Sequence, residues 1–161
     1  MRIQVGLIAA IIMTLAPIAA AKAENVTSFE PKTIVTALQN AGYKAKLTKD
    51  ENGVSTIETA ANKGTIFISF SNCTNKISCE TIEFYGFWNC ENYVKKCKEA
   101  SDKLNNDEIL AHFISKDNGK SILAYQLLIF DKIGISENLF ISNFEDFIIN
   151  NNEFLNLINK N

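Results

Sequence analysis

Residues 65–89 read TIFISFSNCTNKISCETIEFYGFWN. Over 65–72 a period-two pattern puts Ile66, Ile68 and Phe70 on one face and Thr65 and Ser69 on the other, which predicts a half-buried strand. Phe67 alone breaks the alternation, so one ring looks outward or lies under a loop. Over 81–89, Ile82, Phe84 and Trp88 share one face, while Tyr85 and Phe87 fall beside Glu83 on the other. A strand apolar on both sides belongs in the middle of a sheet. Cys73 and Cys79 bracket the link between the two strands.

Upstream, residues 43–48 and 54–60 alternate as two more strands around Asp50-Glu51-Asn52-Gly53, where Asn-Gly supplies a left-handed turn cheaply. Asn62-Lys63-Gly64 turns into the quoted stretch. Before them, Pro31 can begin a helix in which Ile34, Val35, Leu38 and Ala41 recur at helical spacing, with Gly42 as a left-handed cap and Tyr43 folding back. Downstream, Tyr93, Val94, Cys97, Ala100 and Leu104 mark a second helix packed on one side. A second hairpin follows, 108–116 and 121–130 around Asp117-Asn118-Gly119. Ser136 caps a last helix whose stripe runs through Phe140, Phe144, Phe147, Ile148, Phe154, Leu155 and Ile158, with a bend expected near Asn150-Asn151-Asn152. The predicted class is α+β, an antiparallel sheet of about six strands with three helices in the order α-β-β-β-β-α-β-β-α.

The N-terminus has Arg2, an apolar run from Val5 to Ala16, and Ala21-Lys22-Ala23, the three parts of a secretory signal. The run is shorter than the roughly 20 residues a spanning helix needs. The expected organisation is a signal over 1–23, cut between Ala23 and Glu24, and a single domain over 24–161, in the periplasm or outside the cell, without stable membrane insertion after cleavage. Losing Arg2 and Lys22 leaves 14 basic residues against 18 acidic ones, a balance that does not seek nucleic acid. Cys73, Cys79, Cys90 and Cys97 then read as disulfides. Three pairings can be drawn; Cys73 with Cys79 and Cys90 with Cys97 is favoured because short loops keep partners close. Cys90 and Cys97 in one straight helix would lie about 10 Å apart, so Cys90 must sit at a strand end or turn. A four-cysteine zinc site would use C-x2-C spacings that are missing. Sequons at Asn25 and Asn72 matter only in a glycosylating host, and the signal looks bacterial.

In this order of elements the chain resembles the YbjN family, a group of proposed bacterial sensory transduction regulators, as an exported member. The resemblance rests on Leu38-x-x-x-Gly42-Tyr43, Asp50-x-x-Gly53 with Ile57, Cys73 and Cys79 before Phe84-x-x-Phe87, and Asp117-x-Gly119 followed by Gly134-x-Ser136. It implies a fold similar to type III secretion chaperones, which often form homodimers and hold protein partners on a helix-and-sheet surface. It implies no reaction and no cofactor. Exported relatives tend to carry basic residues and an aromatic on the strand after the second helix, where this chain has Ile109, His112 and Ile114.

No nucleotide-binding glycine loop, nucleophile elbow or calcium loop is present in the sequence. His112, the sole histidine, reads as a partly exposed strand residue, since acid–base work or metal binding needs a carboxylate or second ligand beside it. Asp102, Asp107 and Glu108, and Glu145 with Asp146, read as solvated helix faces. The aromatic residues Phe29, Phe67, Tyr85, Phe87 and Trp88 exceed what a thin, one-sided core needs. Their ordinary place is under helices and loops; exposed, they would make an apolar patch for a partner chain or a second copy. Phe67, Tyr85, Phe87 and Trp88 are therefore the candidate partner-binding residues, with no catalytic, cofactor or metal residue assigned. The leading expectation is a non-enzymatic envelope protein that binds protein partners, chaperone-like or regulatory. The alternative is a binder of small apolar ligands in a pocket between the sheet and the C-terminal helix. A hydrolase built on His112, a serine and a carboxylate ranks third.

Overall fold

The computed structural model describes residues 25–61, 64–76, 78–107 and 109–160. The expected signal and its cleavage site lie outside them, as do Asn62, Lys63 and Glu108. The elements are α1 (Pro31–Asn40), β1 (Ala45–Lys49), β2 (Ser55–Ala61), β3 (Gly64–Thr74), β4 (Ser78–Asn89), α2 (Val94–Asn106), β5 (His112–Lys116), a 3-10 turn over Asp117–Gly119, β6 (Ser121–Ile129) and α3 (Glu137–Asn159). The six strands form one antiparallel sheet ordered β1-β2-β3-β4-β6-β5, so β4 is interior as its two apolar faces predict.

Local chemistry fixes the ends of these elements. At the end of α1 the Gly42 N–H donates to the Gln39 carbonyl and the Tyr43 N–H to that of Leu38, the paired bonds of a Schellman cap, with Gly42 at φ 89°. Asp50 Oδ1 accepts from the backbone of Asn52 and Val54 and so closes the β1–β2 turn. The Ser136 hydroxyl accepts from Leu139 N–H at the start of α3.

One face of the sheet carries the core. Ile57, Ile68, Phe84 and Gln126 follow one another across β2, β3, β4 and β6 in register, and the helices lie over them. Phe84 stands at the centre, its ring centroid 5.4 to 5.8 Å from those of Phe144, Phe140 and Phe147 on α3. Truncating such a ring to Ala typically costs about 3–5 kcal/mol. Near the N-terminus Val26 is buried and pairs with Ile135 as an antiparallel bridge, and the Ser28 hydroxyl donates to the Cys79 carbonyl.

Three expectations need correction. The strand ends at Asn72 and Thr81 are too short: β3 and β4 run on to Thr74 and Ser78, with Cys73 opposite Cys79 and with Asn75 and Lys76 at positive φ in the tip. The strand expected over 108–116 begins only at His112, because β5 pairs with β6 from Ser121 to Tyr125 and no further. The Asn150–Asn152 run does not interrupt α3, since Asn151 turns its amide to use: Nδ2 donates to the Phe147 carbonyl and Oδ1 accepts from Trp88 Nε1 at 2.9 Å.

The cysteines pair as Cys73–Cys79 and Cys90–Cys97. Cys90 follows the last residue of β4 and Cys97 lies in α2, so the second bridge ties strand end to helix. The β5 edge is closed in a different way. Asn105 of α2 donates from Nδ2 to the Phe113 carbonyl and accepts the Phe113 N–H at Oδ1, both at 2.8 Å. At the opposite edge Gln39 donates to the Ala45 carbonyl, and Lys44, Lys46 and Lys49 stand exposed.

Candidate functional site: the uncovered face of the sheet

The three helices occupy one side of the sheet, and side chains alternate strictly along a strand. The other face is built by the remaining set of residues. One row crosses all six strands in register: Lys46, Glu58, Phe67, Tyr85, Tyr125 and His112. The next row toward the end of β4 brings together Phe87, Leu123 and Ile114. On the other side of the central row lie Ser69, Glu83 and Leu127, then Ser71, Thr81 and Ile129. Charged and hydroxyl groups thus run over β1, β2 and β3 and continue onto β4 at Glu83 and Thr81, while apolar groups gather over β6, β5 and the Tyr85–Phe87 end of β4.

The apolar half is open to water. Phe87 is 60% exposed, Leu127 47% and Ile129 77%. The rings touch one another: Phe67 stacks on Tyr85 at 5.4 Å, Tyr85 meets Phe87 edge-on at 5.9 Å, and His112 lies 5.3 Å from Tyr125. Between them is a shallow recess of about 400 Å³ lined by Ser69, Glu83, Tyr85, Phe87, Ile114, Leu123 and Tyr125. Its one carboxylate, Glu83, takes a bond from the Ser71 hydroxyl at 3.4 Å. Partial burial pushes the Tyr85 phenol above its ordinary value, and the negative charges of Glu83 and then Asp50 push it the same way.

Of the four candidate partner-binding residues, the structure gathers Phe67, Tyr85 and Phe87 on this face. Trp88 leaves the set: it points to the covered side, bonded to Asn151 and tilted against Phe154 at 6.3 Å. Phe29 is half-buried in the turn before α1. The sequence reading missed Ile114, Leu123, Tyr125, Leu127 and Ile129. The signal was the run of apolar residues on both faces of β6, but its register against β4 is set by the crossover through α2.

Between the sheet and α3, where a ligand pocket was the alternative, the described residues Ile66, Trp88 and Ile148 outline a space of about 10 Å³, room for one water at most. His112 makes no side-chain hydrogen bond to a serine or carboxylate among the described residues. Asp102 and Asp107 pair with Lys98 and Lys103 on the wet side of α2. Among the described residues no three His, Cys, Asp or Glu side chains converge as metal ligands, and no helix is long and apolar enough to cross a membrane.

No family model matches the chain, and no curated protein does. Solved structures similar to it include the following two. An uncharacterised protein from Methanothermobacter thermautotrophicus superposes with a TM-score of 0.58 at 17% identity, over 79% of this chain and 94% of its own. YbjN, a proposed transcription regulator from E. coli, superposes with a TM-score of 0.51 at 12% identity, over 80% of this chain and 88% of its own. At these identities what is shared is the fold, and the chain has a YbjN-like one.

Proposed function

We propose that this is a non-enzymatic protein of the bacterial cell envelope that binds a protein partner on the uncovered face of its sheet. One observation carries the reading: a contiguous apolar surface, centred on Tyr85, Phe87, Leu123 and Tyr125, lies open on a domain whose helices all pack on the other face of the sheet. Large exposed apolar patches are costly to keep in water, and where they persist they commonly serve association. Two disulfides favour an oxidising compartment. A leader removed after Ala23 would spare the anchors at Val26 and Ser28, so export and folding are compatible. A YbjN-like regulator or chaperone would use such a surface in the same way.

The test is association of the Phe87→Asp protein. Phe87 is mostly exposed, so the variant should fold with unchanged circular dichroism and both bridges intact. It should lose at least tenfold in affinity for partners that the unaltered protein captures from an envelope extract. A folded variant that captures the same partners as strongly would remove this face from consideration.

A further inference from the structure

Glu83 makes the uncovered face an incomplete site for a purely apolar partner. The carboxylate stands in the central part of the band, with Tyr85 and Phe87 along its own strand and Leu127 opposite it on β6. None of the ion pairs among the described residues includes it. An apolar segment laid over the band would strip water from this charge and leave it without a counterion, which cancels much of the gain from covering the rings. The occupant must therefore bring a positive group to that point.

The recess is shaped to receive one. Its seven lining residues include three aromatic rings and one carboxylate, and none of them is basic. Aromatic faces attract cations within about 6 Å of the ring centre. Lys46, the cation of the central row, stands at the far edge beside its register partner Glu58.

Size decides what kind of molecule carries the group. With strands about 4.8 Å apart and like-facing residues about 6.7 Å apart, the four strands and four rows of the band from β3 to β5 and from Phe87 to Ile129 cover about 500 Å². A stable two-chain interface takes about 800 Å² from each partner, so a second copy of this chain on the band alone falls short. One extended or helical segment of another protein fits.

Resting on the partner-binding reading above, we propose that the recess between Glu83, Tyr85, Phe87 and Tyr125 receives an arginine side chain carried by an otherwise apolar segment of the partner. Arginine suits it better than lysine, because a planar guanidinium stacks on a ring while its N–H fork meets the carboxylate.

Butylguanidinium, which reproduces the end of an arginine side chain, and butylurea, its uncharged near-isostere, separate the ideas. Each is titrated into the disulfide-bonded protein while amide resonances are followed. The expected result is saturable movement of Glu83, Tyr85, Phe87 and Tyr125 with butylguanidinium, at about tenfold higher affinity than with butylurea. In Glu83→Gln that preference disappears while the rest of the spectrum is unchanged. Equal binding of the two compounds, movement confined to other carboxylates, or a preference that survives in Glu83→Gln overturns the arginine site. These outcomes leave the partner-binding face standing, since that reading fails separately if Phe87→Asp captures partners undiminished.

Discussion

Gln126 sits on the covered face opposite Phe84, 1% exposed, and neither atom of its amide meets a hydrogen-bond partner among the described residues. A buried amide without partners costs about 1–3 kcal/mol relative to an apolar group of like size. Gln126→Met should therefore raise the free energy of unfolding by about 1–2 kcal/mol, read as a higher urea midpoint at unchanged slope. The phenols act through pH. Tyr43 is raised by burial and then by Glu145, and Tyr85 by burial and then by Glu83. Above the ordinary value of 10.0 the native state holds protons that the unfolded chain has released, so these groups contribute stability in full below that pH and lose it as pH rises further. Titration by tyrosinate absorbance should find two late phenols, and Glu83→Gln should bring one of them down.

At the scale of elements, α3 and β4 hold each other through Trp88 and Asn151. Since the protein has one tryptophan, its emission reports this contact alone. Asn151→Leu leaves the indole N–H unpaired and should cost about 1–3 kcal/mol, with a shift in Trp88 emission and no loss of helix by far-ultraviolet dichroism. Element order and the faces of β3 and β4 were legible in the sequence because periodicity reports which side of a strand is wet. Periodicity also separated Trp88 from Tyr85 and Phe87. It could not show that the second apolar face of β4 lies bare, because that depends on all three helices choosing the same side. Nor could it place Leu123 and Tyr125 beside Phe87 and Tyr85. That register is fixed when α2 carries the chain past β6 to the edge, and β6 returns between. The run from Ile109 to Ala111 is apolar like a buried strand, yet it is spent leaving α2, where the Ile109 N–H turns back to the Asp107 carbonyl.

For the molecule as a whole, the two bridges close loops of 6 and 7 residues. Loops that short constrain the unfolded chain by about 2 kcal/mol each. Reduction should therefore lower stability by about 4–5 kcal/mol, a large share of what a domain of this size holds. Comparing urea unfolding with and without a thiol reductant measures it. The N-terminal Val26–Ile135 bridge depends on Gly134, at φ 77°, where a Cβ would collide with the Val26 carbonyl. Gly134→Ala should cost about 2 kcal/mol or more and release the Val26–Ile135 bridge, seen as faster amide exchange at both residues.

A greasy sheet left open invites the fate of such ribbons, accretion strand by strand into fibres. Here the amide of Asn105 imitates a seventh strand for one residue and then stops, so growth at that border has nothing to copy. The lysines along β1 repel an incoming copy at the other border. Blunt borders are what let the broad side stay sticky without the population gelling. An Asn105→Leu protein, with its broad side untouched, should convert to thioflavin-positive aggregates under agitation sooner than the parent.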